Sequence, residues 1–100
     1  MRISEAQKKA IIECFIESFG VGELYLFGSR TDDNARGGDI DLFIDPLTQS
    51  DLLHKKIKML AGVKHQIGDQ KIDLVIKMDD VHPIYEIARS EGELLCKNLH

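Results

Sequence analysis

The sequence predicts an α/β layer fold, a small mixed β-sheet flanked by helices. Three observations carry this expectation. Segments with apolar residues at helical spacing alternate with short apolar runs of strand length. Glycine or proline stands at most of the junctions between them. The chain has 100 residues, 43% of them apolar, enough for one packed core without a disulfide or structural metal. A single domain over residues 1–100 follows.

The first helix begins after Ser4, which can cap it with Gln7 as the capping-box partner three residues on. Ala6, Ala10, Ile11, Cys14, Phe15 and Phe19 recur at helical spacing, and Gly20 is placed to end the run. Glu23 to Phe27 is short, apolar and rich in aromatics, and reads as a buried strand ending at Gly28. Thr31 to Gly38 is polar and turn-rich, a loop or a short helix. Asp39 to Asp45 is the second strand, with Ile40, Leu42 and Ile44 on one face and Asp39, Asp41, Phe43 and Asp45 on the other. Pro46 ends it.

A second helix starts near Ser50, with Leu52, Leu53, Ile57 and Leu60 expected on its inner face and with Gly62 and Gly68 as rival ends. Lys71 to Lys77 reads as the third strand. Pro83 suits the first turn of a last helix whose inner face is Ile84, Ile87 and Ala88, stopped by Gly92. Leu94, Leu95 and Cys96 are expected as a short edge strand.

Composition narrows the partners. The net charge is −4, so nucleic acid is disfavoured as the main partner. The local basic stretch of Lys55, Lys56, Lys58 and Lys64 reads as a solvated helix face. Cys14 reads as core packing, and Cys14 and Cys96 have no paired spacing. The four histidines show no zinc-ligand spacing. No apolar run approaches the ~20 residues of a membrane span, and no signal peptide is recognisable. A reducing, cytoplasmic setting is the expectation.

The chemistry concentrates in Gly28-Ser29-Arg30 and Asp39-Ile40-Asp41, with Asp73 on the third strand. Side chains two apart on a strand share a face and lie roughly 6.6 Å apart. Two carboxylates so placed can share a pair of metal ions about 3.5–4 Å apart. Asp73 has the same phase, alternating with Ile72, Leu74 and Ile76. Three such acids would repel strongly, and a divalent cation relieves this. Oxygen-only ligands favour magnesium, with manganese as a substitute. Gly28 lets the backbone approach a phosphate, Ser29 adds a donor and Arg30 neutralises phosphate charge. Metal-dependent chemistry on a nucleoside triphosphate follows. Asp32, Asp33 and Asp45 read as solvated acids, and Asp69, Asp79 and Asp80 as loop acids.

These residues closely resemble the nucleotidyltransferase superfamily that includes DNA polymerase β and the aminoglycoside nucleotidyltransferases. The pattern is Gly-Ser, a loop, Asp-x-Asp, then a later acid, here Gly28-Ser29, nine residues, Asp39-Ile40-Asp41 and Asp73. The loop is slightly short, and Gly38 stands where a serine often precedes the first acid. The small size and the ending from Pro83 to Ala88 and Glu91 to Leu95 are similar to the minimal nucleotidyltransferase branch.

The resemblance implies a polymerase β palm-like fold. It also implies that Asp39, Asp41 and Asp73 are catalytic and hold two Mg2+ ions, while Gly28, Ser29 and Arg30 bind the triphosphate of ATP. Minimal members often act as antitoxins beside a HEPN-domain ribonuclease toxin. Similarity to them implies AMP transfer from ATP to a tyrosine of such a toxin, in a hetero-oligomer. A chain this small has little room for an acceptor site, which fits a protein acceptor. Two rivals are a transferase with a small-molecule acceptor and an antitoxin that only occludes its partner.

Overall fold

The computed structural model describes residues 3–27, 40–47, 50–68, 70–77 and 92–99. Helix α1 spans Glu5–Ser18 and opens with the expected capping box. The Gln7 N–H donates to Ser4 Oγ at 3.0 Å, and the Ser4 N–H donates to Gln7 Oε1 at 2.9 Å. Two otherwise orphaned helix-end donors are thereby satisfied. Ala10, Ile11, Cys14, Phe15 and Phe19 are buried, as their spacing predicts, whereas Ala6 is exposed. Gly20 follows the C-cap with φ +79°, the left-handed turn that lets the chain reverse. The Asn98 side-chain amide donates to the Gly20 carbonyl and ties this turn to the last strand.

Strand β1 (Gly22–Phe27) pairs antiparallel with β2 (Ile40–Pro46). A Cβ at Gly22 would sit 2.6 Å from the Asp45 carbonyl oxygen and 2.9 Å from Pro46 Cα, so only glycine lets the two backbones meet there. Helix α2 (Leu52–Ile67) runs through Gly62 and stops at Gly68. Strand β3 (Ile72–Ile76) lies parallel to β2. Strand β4 (Glu93–Asn98) pairs antiparallel with β1, so the expected edge strand exists and is longer than Leu94–Cys96. The sheet order is β3-β2-β1-β4, a mixed sheet. Its register with β4 shifts between Leu24 and Tyr25, leaving Leu95 as the extra residue. That irregularity lets the consecutive Leu95 and Cys96 both pack against the main core.

The helices lie together against one face of the sheet. Ile11, Cys14, Phe15, Met59 and Val63 meet Leu24, Leu26, Ile40, Leu42, Ile44 and Leu74 in one buried cluster. The inner face of α2 differs from the expectation. Leu52, Met59 and Val63 are buried, Leu60 packs at the margin, and Leu53 and Ile57 are exposed. Apolar residues occupy more than half the circumference of α2, so periodicity alone does not fix its rotation. Among the described residues, no helix is long and apolar enough to cross a membrane. The expected last helix from Pro83 to Ala88, and the loop from Thr31 to Gly38, lie outside the described residues.

Candidate active site

Strand alternation decides which side chains leave the core. Ile40, Leu42 and Ile44 of β2 and Ile72, Leu74 and Ile76 of β3 all pack in or against the helix-side cluster. Asp41, Phe43 and Asp45, with Asp73 and Val75, therefore take the opposite face. The parallel register then pairs them: Asp41 with Asp73, and Phe43 with Val75. The ladder is closed at both ends, by the Ile40 N–H on the Lys71 carbonyl at 3.0 Å and the Lys77 N–H on the Ile44 carbonyl at 2.9 Å. Neighbouring strands lie about 4.8 Å apart, so two carboxylates stand side by side on the face away from α1 and α2. Asp41 is half-buried and Asp73 is exposed.

Two adjacent carboxylates repel unless a cation or a proton comes between them. Their donor set is oxygen only, which fits a hard divalent cation. Among the described residues no three His, Cys, Asp or Glu side chains converge on one point. Asp39, Gly28, Ser29 and Arg30 lie outside the described residues, as do the loop acids Asp32, Asp33, Asp69, Asp79 and Asp80. Strand β1 ends at Phe27, the register partner of Asp41, and β2 begins at Ile40. The segment carrying Gly28 to Asp39 thus leaves and returns at the acid-bearing end of the sheet.

One step along the strands, the same face turns apolar. The Tyr25 and Phe43 rings lie 6.0 Å apart at 44°, and Val75 packs beside them. Both rings are buried, forming a second, smaller cluster that stiffens β1 and β2 next to the acids. The Tyr25 hydroxyl donates to Glu23 Oε1 at 2.7 Å, and Lys97 Nζ of β4 lies 3.5 Å from Glu23 Oε2. These contacts fix Tyr25 in place. The expectation of a buried strand over Glu23–Phe27 holds for Leu24, Tyr25 and Leu26, but it does not divide them between two clusters. Alternation within the run, with Leu24 and Leu26 flanking Tyr25, was the signal that could have found the division. Asp45, read as a solvated acid, is half-buried.

A family model described as "Polymerase beta, Nucleotidyltransferase" matches residues 9–99. No curated protein matches the sequence. Among solved structures, the fold is similar to a chain of the MntA–HepT toxin–antitoxin, with TM-score 0.70 and 17% identity over 95% of this chain and 74% of that one. A mutant of that complex gives 0.71 and 17%, covering 91% and 73%. A toxin–antitoxin with AMP-PNP gives 0.72 and 19%, covering 91% and 73%. The mixed sheet, the paired acids on the face away from α1 and α2 and the match over nearly the whole sequence agree, and the chain belongs to the polymerase β-type nucleotidyltransferase family, with the fold of its minimal members.

Proposed function

We propose that this chain is an antitoxin that transfers AMP from ATP to a tyrosine of a HEPN-domain toxin and thereby silences it. The observation that carries the reading is the register of Asp41 against Asp73 on adjacent parallel strands, in a chain of a nucleotidyltransferase family. The similarity to toxin–antitoxin chains, one solved with AMP-PNP, supports the choice of partner and nucleotide.

In this reading Asp39, Asp41 and Asp73 hold two magnesium ions. When bound, the ions supply positive charge that stabilises the attacking and departing oxygens. Gly28 and Ser29 grip the terminal phosphates, and Arg30 offsets their charge. Asp73, more exposed than Asp41, receives the proton of the acceptor hydroxyl. The acceptor oxygen forms its bond to the α-phosphorus as the bond to the β-phosphate oxygen breaks, and pyrophosphate leaves. Tyr25 and Phe43 keep the acids' strands rigid during this displacement.

The test combines the chain, the protein encoded beside it, magnesium and α-labelled ATP, followed by intact-mass measurement. Addition of AMP to the partner, lost in Asp41→Asn and Asp73→Asn, is the expected result. Neutralisation of the partner without a mass change, retained in both variants, would replace transfer by occlusion. Transfer only to a small molecule would replace the protein acceptor.

A further inference from the structure

Helix α2 carries a feature that neither the core nor the acid pair uses. Leu53 and Ile57 are 70% and 59% exposed, and Ala61, one turn further on, is also exposed. Spaced at four, they form a continuous apolar stripe on the outside of the helix. At its N-terminal end the stripe runs into an apolar depression of about 360 Å³ lined by Leu52, Leu53, Lys56, Leu74, Val75 and Ile76. Strand β3, which forms the far wall, is an edge of the sheet among the described residues, and it also carries Asp73.

The charge carried by α2 itself has one sign. Residues 52–67 contain Lys55, Lys56, Lys58 and Lys64 and no acid, a charge of +4 within a chain of −4, so the rest of the chain carries −8. Helix stability does not explain the placement. Lys64 and His65 suit the C-terminal end, whereas Lys55 and Lys56 lie near the N-terminal end, where the helix dipole gives a cation no advantage; Lys58 Nζ also donates to the Glu17 carbonyl of α1 at 3.5 Å. The first turn has no acid, and the N-cap Asp51 makes no side-chain capping bond. At helical spacing, Lys56 and Lys64 fall to one side of the Leu53–Ile57 line, and His54 and Lys58 to the other.

We propose that the outer face of α2, with the depression at β3, is the docking site for an acidic amphipathic helix of the partner protein. Its apolar residues cover Leu53 and Ile57 and enter the depression, and its carboxylates meet the flanking lysines. Duplex nucleic acid would match the lysines but not two exposed aliphatic side chains in line. Val75 lies two residues beyond Asp73 on the same face, roughly 7 Å along the strand, so a partner seated here stands next to the acid pair. The inference rests on the reading of the chain as an antitoxin and names the surface that delivers the acceptor.

The test measures binding of the full chain to the protein encoded beside it by calorimetry, for wild type, Leu53→Ser/Ile57→Ser and Lys56→Glu/Lys58→Glu. All four side chains lie on the outside of α2 or at its margin, and thermal melts check that both doubles stay folded. Each double is expected to weaken binding at least tenfold, and the lysine double is expected to flatten the salt dependence. Unchanged affinity in both doubles overturns the surface while leaving AMP transfer to stand on its own assay. Normal docking without AMP transfer sinks the proposed function and spares the surface. A wild-type self-dimer dissociated by Leu53→Ser/Ile57→Ser, or uptake of a duplex oligonucleotide lost only in Lys56→Glu/Lys58→Glu, reassigns the face and overturns the proposal.

Discussion

Gly62→Ala tests whether a glycine set against a buried sulfur fixes the spacing of the two helices. Gly62 lies inside α2, where alanine is favoured over glycine by about 1 kcal/mol from propensity alone. The structure opposes that gain. A Cβ at this position lies 3.0 Å from Cys14 Sγ and 3.7 Å from Cys14 Cβ. An unstrained contact needs about 3.7 Å, so the sulfur must retreat by several tenths of an ångström. It has little room, being 3% exposed in the core of α1 and accepting from Gln66 Nε2 at 3.5 Å. Overpacking of this kind costs about 1–3 kcal/mol, so Gly62→Ala is expected to be destabilising by about 1 kcal/mol net. In a Cys14→Ala background the sulfur is gone, only the 3.7 Å contact remains, and the same substitution is expected to stabilise by about 1 kcal/mol. Urea denaturation of the four proteins, followed by circular dichroism, should give a coupling of about 2 kcal/mol. Stabilisation by Gly62→Ala in both backgrounds, with coupling under about 0.5 kcal/mol, would refute the idea that glycine against cysteine sets the helix spacing.

Four further outcomes are expected. Gly22→Ala should cost about 3 kcal/mol in urea denaturation, since its Cβ meets β2 backbone at 2.6 Å and its φ is +133°; a loss below about 0.5 kcal/mol would contradict the close strand approach. Ser4→Ala should lose about 1 kcal/mol with the capping box, read as a lower melting temperature. Asp73→Asn should remove AMP transfer yet stabilise the metal-free chain by about 0.5 kcal/mol, by relieving like charge across the β2–β3 pair. A stability loss on that substitution would show that Asp73 supports the fold rather than the chemistry. Finally, burial, then Glu17 and Glu13, push the Cys14 thiol up, against a smaller opposing effect of the Gln66 hydrogen bond. A raised folded-state value means that its contribution to stability is complete below the ordinary thiol range and is lost as pH rises through it. Stability should therefore fall above about pH 8.5, and Cys14→Ala should lessen the slope.

Much of this fold is legible locally, because each local signal has a short-range cause. The Ser4–Gln7 box, the Gly20 turn and the alternation in β2 and β3 depend on residues within one turn or two positions of each other. The family motif is local in the same sense, since Gly28-Ser29 and Asp39-Ile40-Asp41 stand close in the chain. The rotation of α2 was not legible. Leu52, Leu53, Ile57, Met59, Leu60 and Val63 offer two competing apolar faces, and the groove left by α1 and the sheet selects Leu52, Met59 and Val63. The face passed over, Leu53 and Ile57, is the one now assigned to a partner. Gly62 misled for the same reason: a glycine that could end a helix is indistinguishable in sequence from one that admits a neighbouring sulfur.

The sequence by itself determined that Asp41 and Asp73 leave the core, because a period of two leaves each no other face once its neighbours are apolar. Only the tertiary structure decided that the two stand opposite each other. Strand adjacency and register join residues far apart in the chain, and they are set by how the helix layer packs on the sheet as a whole, which no short window of sequence contains.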